Sequence, residues 1–115
     1  MLKEILRSKI HRCTATDANL NYEGSISLDP KLMELSDIQE WDKVQVVDLN
    51  NGQRFETYAI TGKPGSGEIC VNGAAARLVH IGDILIIMAF GFFSPEESSG
   101  FQPKIVKVDA QNRPL

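Results

Sequence analysis

The segment Lys43–Ile60, KVQVVDLNNGQRFETYAI, alternates apolar and polar residues on both sides of an Asn-Gly dipeptide. Period-two alternation puts every second side chain on one face of a sheet, so this segment predicts an antiparallel hairpin and excludes an amphipathic helix. Strands are expected over Lys43–Leu49 and Arg54–Ile60, with Asn51-Gly52 as a tight reversal. Arg54, Glu56 and Tyr58 then share one face, while Phe55, Thr57 and Ala59 share the other.

A lone hairpin is marginal in water, so the remainder of the chain has to supply more sheet. Further strands are expected over Ser8–Thr16, in the short alternation Ser25–Leu28, after the loop TGKPGSGE, within the apolar run Ile84–Phe93, and over Lys104–Val108. The residues DANLNYEGS between the first two read as a turn, and those from Ser94 to the last strand as a polar loop; the end of the chain looks disordered. Asp29-Pro30 has the form of an N-cap followed by proline at the first helical position, which predicts a short helix over Pro30–Leu35. Ala74–Leu78 fits one helical turn. Many short strands punctuated by glycine turns predict a mainly β fold, a small β-barrel with one or two short helices. At 115 residues the chain is the size of one domain, 1–115.

A formal net charge of -3 without a long run of either sign argues against a nucleic-acid or membrane surface and favours a small soluble substrate. Ile84–Phe93 is too short to cross a bilayer as a helix, and no secretory signal is evident at the N-terminus, so the expected location is the cytoplasm. In that setting Cys13 and Cys70 are expected to be free thiols. Together with His11 and His80 they match no zinc-ligand spacing, so no metal is expected.

Four motifs occur in order: KIHR (Lys9–Arg12), YEGS (Tyr22–Ser25), NGQRFETYAI (Asn51–Ile60) and VNGAAA (Val71–Ala76). Each is common alone; together, in register across nearly the whole chain, they resemble the pyruvoyl-dependent aspartate 1-decarboxylases. The resemblance implies a double-psi β-barrel assembled as a homotetramer. It implies a proenzyme that cuts itself by serinolysis between Gly24 and Ser25, into a small chain, 1–24, and a large chain, 25–115. It further implies conversion of L-aspartate to β-alanine and carbon dioxide for pantothenate and coenzyme A synthesis. The sequence names no maturation partner.

The chemistry fits those residue types. Decarboxylation leaves an electron pair on carbon, which ordinary side chains stabilise poorly, so an electron sink is required. The family's sink is a pyruvoyl cofactor generated from Ser25, a ketone that forms a Schiff base with the substrate amine. Gly24 offers no side chain to obstruct attack by the Ser25 hydroxyl and tolerates backbone angles closed to other residues. The resemblance assigns Thr57 to the oxyanion of that acyl shift and to the substrate site. It assigns Tyr58 as the acid that protonates the carbanion, a role open to a phenol because it keeps its proton at neutral pH. Arg54 and Lys9 are the cations for the two substrate carboxylates. Tight pairing to the leaving carboxylate would stabilise the ground state, so Arg54, with its bidentate fork, better suits the retained one. Gly73, Ala74 and Ala75 match a backbone segment that contacts substrate, and Asn72 is placed to orient the imine region. Tyr22 and His11 also match, His11 as a satisfied structural histidine. One departure stands out: some members carry an aromatic residue where this chain reads VQVVDL, whereas its only tryptophan, Trp41, lies earlier.

Two other functions fit parts of the sequence. One is a small-molecule- or protein-binding β-barrel that leaves Ser25 uncut; the other is a hydrolase using Cys13 or Ser25 with His11 or His80, for which no nucleophile elbow is present.

Overall fold

The computed structural model of the protein describes residues 1–115. Eight strands form one mixed sheet: β1 (Lys3–Thr14), β2 (Asp17–Asn19), β3 (Ser25–Leu28), β4 (Lys43–Asp48), β5 (Arg54–Thr61), β6 (Ile69–Asn72), β7 (Ile84–Phe93) and β8 (Lys104–Lys107). Their order is β2-β6-β3-β5-β4-β7-β1-β8. The mainly β expectation is met. No helix is long and apolar enough to cross a membrane.

The sheet has two halves that meet at β5. On one side β5 runs antiparallel to β4, with Lys43 opposite Tyr58 and Val47 opposite Arg54. On the other it runs parallel to β3, with Ile26 opposite Ala59. The expected hairpin is therefore present, but its turn is longer than a two-residue reversal. Asp48 N–H donates to Gln53 O and Gly52 N–H donates to Asp48 O, so Leu49, Asn50, Asn51 and Gly52 all lie in the loop, with Gly52 at φ 75°.

Several boundaries differ from the sequence reading because pairing partners distant in sequence override local pattern. β1 starts at Lys3 instead of Ser8, since Lys3–Leu6 pair with Phe90–Phe93 of β7. It carries a bulge between Ile10 and Cys13, where Arg12 takes φ 58°. Asp17–Asn19, expected as part of a turn, pairs in parallel with Cys70–Asn72. The stretch after β7, expected as a loop, contains the helical turn α2 (Pro95–Ser98), whose capping box joins Ser94 and Glu97. The chain end is tied down: Asn112 Oδ1 accepts from Thr14 N–H, while its Nδ2 donates to Thr14 O and Gly67 O. Helix α1 (Pro30–Ser36) follows its expected cap, with Asp29 accepting from Lys31 N–H.

One cluster of 18 buried residues forms the core, including Ile10, Ile26, Leu28, Val44, Val46, Ala59, Ile69, Val71, Leu85 and Ile87. Burying side chains of this size contributes about 1.5–3 kcal/mol each for the aliphatic ones. A buried acid pair closes one end. Asp48 Oδ2 finds no N–H or O–H donor although Asp48 is wholly buried, and its neighbour is the Asp83 carboxylate. Two carboxylates share that position only if one holds a proton. Burial, then the hydrogen bond to Asp83, pushes the Asp48 carboxyl above the ordinary range. Asp83 is held below it by the same hydrogen bond and by the His80 N–H.

A raised folded-state pKa contributes stability at low pH that is lost as pH climbs through it; a lowered one contributes stability lost as pH falls through it. The pair thus favours the singly protonated state between the two. Unfolding midpoints of the native chain should decline as pH rises through the raised Asp48 pKa, and Asp48→Asn, which keeps a donor toward Asp83, should flatten that decline. Parallel pH profiles for the two proteins would contradict this pairing.

Candidate active site

The Gly24–Ser25 peptide sits where the chain passes from surface to interior. Tyr22, Glu23 and Gly24 are exposed, whereas Ser25, the first residue of β3, is 1% exposed. All four residues of β3 are buried although polar and apolar residues alternate along it, because the strand has a neighbour on each side. Ile26 and Leu28 enter the core; Ser25 and Ser27 lie on the opposite face with Asn72 and Cys70 of β6, their cross-strand partners.

Those four polar side chains are joined. Asn72 Nδ2 donates to Ser25 Oγ and to Ser27 Oγ, each at 3.0 Å. Cys70 Sγ donates to Asn72 Oδ1 at 3.1 Å. The Ser25 hydroxyl in turn donates to Glu23 O at 2.9 Å, so its oxygen accepts one hydrogen bond and gives one. Asn72 precedes the 3-10 helix Gly73–Leu78, which was expected as one turn from Ala74. Ala74 is exposed, Ala75 half-buried and Ala76 buried.

Gly73 is where glycine is required. It has φ 77°, and a Cβ built there would lie 2.6 Å from Gly24 Cα and 2.9 Å from Gly24 N. Gly24 itself is different. It does not take a positive φ, and a Cβ on it would meet nothing within 4 Å, so the uncut chain does not use the backbone freedom that a glycine offers there. What lets Gly24 lie so close to this backbone is the absence of a side chain on Gly73.

Thr57 and Tyr58 approach the same place along β5. Extending the parallel register back from Ile26 and Ala59 sets Ser25 level with Tyr58 and Gly24 level with Thr57. Tyr58 is on the outer face with Ser25, and Thr57 on the face that turns toward the core. The Tyr58 ring packs on Trp41, with ring centroids 5.6 Å apart and planes tilted by 32°. Trp41 is 70% exposed and takes φ 75°, a left-handed conformation unusual for a bulky residue; its N–H donates to Ala59 O. No local pattern announces this contact, which links an irregular connection to the middle of β5.

The two cations are not beside Ser25. Arg54 stands four residues from Tyr58 on β5, exposed, with Nη1 donating to Gln45 Oε1 at 2.9 Å. Lys9 is on β1, level with Met88, which is level with Gln45, which is level with Glu56. Three strand spacings separate it from β5 and four from β3. His11 Nδ1 is buried without a hydrogen-bond partner, so the expected satisfied histidine is not found; burial first, then Lys9, Arg12 and Lys107, holds its pKa low. Burial pushes the Cys13 thiol up to about 12. With Cys13 also 0% exposed, its thiol is a poor nucleophile, which counts against the hydrolase reading for this residue.

The chain matches the family described as aspartate decarboxylase over residues 1–115. The chain belongs to the aspartate decarboxylase family. Relatives named aspartate 1-decarboxylase include one from Acetivibrio thermocellus, 59% identical over 98% of this chain and 90% of its own length. Another, from Caldicellulosiruptor saccharolyticus, is 60% identical over 98% of this chain and 88% of its own. A third, from Porphyromonas gingivalis, is 58% identical over 95% and 92%.

Sequence reasoning missed Ser27, Cys70 and Trp41 in this family member. For the first two a signal existed: SIS and CVN each place two polar residues two apart, hence on one strand face. Nothing local says that those two faces meet. The contact at Gly73 is directly testable. Gly73→Ala should lower stability by about 1–3 kcal/mol in denaturant unfolding, from left-handed strain plus collision with backbone; a loss below a few tenths would show that the Gly24–Gly73 approach is slack.

Proposed function

We propose that this protein decarboxylates L-aspartate to β-alanine, using a pyruvoyl group that it makes from Ser25 by cutting its own chain after Gly24. The observation that carries this reading is the setting of Ser25: a buried hydroxyl hydrogen-bonded by Asn72 at the first residue of a strand, next to a glycine that a second glycine approaches closely. The fit to such a group is favourable, because Gly73 leaves the Gly24–Ser25 bond uncrowded and Thr57 is level with the Gly24 peptide.

A pyruvoyl group supplies a ketone that condenses with an amine and a neighbouring carbonyl that accepts the electron pair released with carbon dioxide. The chain's residues do the rest. Tyr58, level with Ser25 on the outer face and braced by Trp41, delivers the proton to the carbon that lost its carboxylate. Arg54 grips the retained carboxylate through its planar fork, and Lys9 neutralises the second acid. The backbone of Gly73, Ala74 and Ala75 borders the substrate, and Asn72 orients its polar end.

Within one chain these groups lie apart along the sheet. Lys9 lies four strand spacings from Ser25, about 19 Å around the sheet, and Arg54 four residues along β5, about 13 Å. A site that gathers these groups from more than one copy is in keeping with the homotetramer implied by the family. The pathway served is β-alanine supply for pantothenate, in the cytoplasm.

Ser25→Ala should give a folded, uncut chain that forms no β-alanine from L-aspartate; β-alanine production by that variant would falsify the reading. Tyr58→Phe should still cut itself while kcat falls by about 100-fold, within the usual span for a lost general acid. An unchanged kcat would take Tyr58 out of the proton-donor position.

A further inference from the structure

Asn72 caps the 3-10 helix by position, yet its side chain makes no capping hydrogen bond. Both hydrogens of its amide are committed to Ser25 Oγ and Ser27 Oγ, and its oxygen accepts from the Cys70 thiol. The four side chains are almost shut off from water, at 1%, 8%, 6% and 3% exposure for Ser25, Ser27, Cys70 and Asn72. Each hydrogen bond in the set consequently acts without competition from solvent.

An asparagine amide has two orientations half a turn apart, and only one of them presents N–H groups to the serines. Turned the other way, Oδ1 would face the serine oxygens and the NH2 would face sulfur, a weak acceptor. The Cys70 S–H selects between them, because a protonated thiol offers Oδ1 a donor at 3.1 Å, whereas a flipped NH2 would meet only a weakly accepting sulfur. Burial, with Asp17 and Glu68 adding to it, pushes that thiol up to about 11, so the proton is present throughout the neutral range. Ser27 takes the second amide hydrogen and fixes the plane of the group.

We infer that Cys70 and Ser27 are positioning residues for self-cleavage: they lock the Asn72 amide so that its N–H stays on the serine oxygen that becomes the leaving group. The inference rests on the reading of Ser25 given above. In the first step Ser25 Oγ bonds to the Gly24 carbonyl carbon, the Gly24–Ser25 C–N bond breaks, and the hydroxyl proton passes to the freed nitrogen. In the second a proton leaves Ser25 Cα for solvent, a double bond forms between Cα and Cβ, and the Cβ–Oγ bond breaks with its electron pair on Oγ. That oxygen departs as part of the Gly24 carboxylate. The enamine left behind tautomerises to an imine, which water hydrolyses to the ketone and ammonia.

The two hydrogen bonds of Ser25 fare differently along this course. The one donated to Glu23 O is lost once the hydroxyl proton has gone. The one accepted from Asn72 survives and strengthens as negative charge grows on Oγ, which is the property of a donor that accelerates a step. A free amide would spend part of its time flipped, with its oxygen repelling the same charge. Cys70 thereby acts through Asn72 without touching a reacting atom.

The test follows the uncut fraction over time by mass under denaturing conditions, starting from full-length protein purified quickly in the cold. Cys70→Ala should cut at least about tenfold more slowly than the native chain, since an unoriented donor forfeits much of its effect. Cys70→Ser, whose hydroxyl also donates to Oδ1, should recover to within about threefold, a rescue that a purely space-filling cysteine would not predict. Ser27→Ala should fall between them. Native-rate cutting by Cys70→Ala overturns the inference, as does Cys70→Ser cutting no faster than Cys70→Ala. A native chain that never cuts removes the Ser25 reading itself, an outcome distinct from either.

Discussion

Strand β3 is four residues long and is held by hydrogen bonds on both edges, parallel to β5 and antiparallel to β6. The placement of the candidate chemistry follows from this double pairing. The β5 edge fixes the level of Thr57 and Tyr58 against the Gly24–Ser25 bond. The β6 edge sets Asn72 opposite Ser25 and delivers the chain into Gly73, whose bare Cα lets Gly24 approach. A slip of one residue along either edge would turn Ser25 into the core and expose Ile26. Ile26, Leu28, Ile69 and Val71, all wholly buried, oppose that slip, so core packing maintains the register that the serine needs.

How much of this is legible in the sequence depends on the range of the contact. The hairpin of β4 and β5, the cap at Asp29 and the helix at Pro30 are local, and period, cap chemistry and turn residues announce them. The start of β1 at Lys3 and the short strand β2 depend on β7 and β6, more than fifty residues away, and no local pattern encodes them. The same division runs through the site. Ser25, Thr57, Tyr58 and Asn72 were legible from motifs. Cys70 and Ser27 were visible only as half-patterns that acquire meaning once β3 and β6 pair. Trp41 breaks a local rule outright, since a tryptophan at φ 75° is strained, and its reason is the tertiary contact with Tyr58.

Protonation is settled here by burial more than by ion pairing. Two of the three ion pairs are exposed, such as Lys43 with Glu56 at 3.4 Å, and pairs of that kind contribute little, while Arg7 with Asp42 is partly buried. In the interior, burial keeps the proton on Cys70 that holds Asn72 in one sense, and burial shifts Asp48 toward the protonated form that can lie against Asp83. Neither arrangement needs a metal or a counter-ion. Each depends on a dry position that makes the neutral form the stable one.

The central claim is that Ser25 is converted and the chain cut before it. The most direct measurement is the mass of the purified native protein under denaturing conditions. The account predicts two fragments dividing after Gly24, with the larger, 25–115, lighter by one ammonia than a chain beginning with serine. A single species at the full mass of 1–115 that stays intact on prolonged incubation would contradict it.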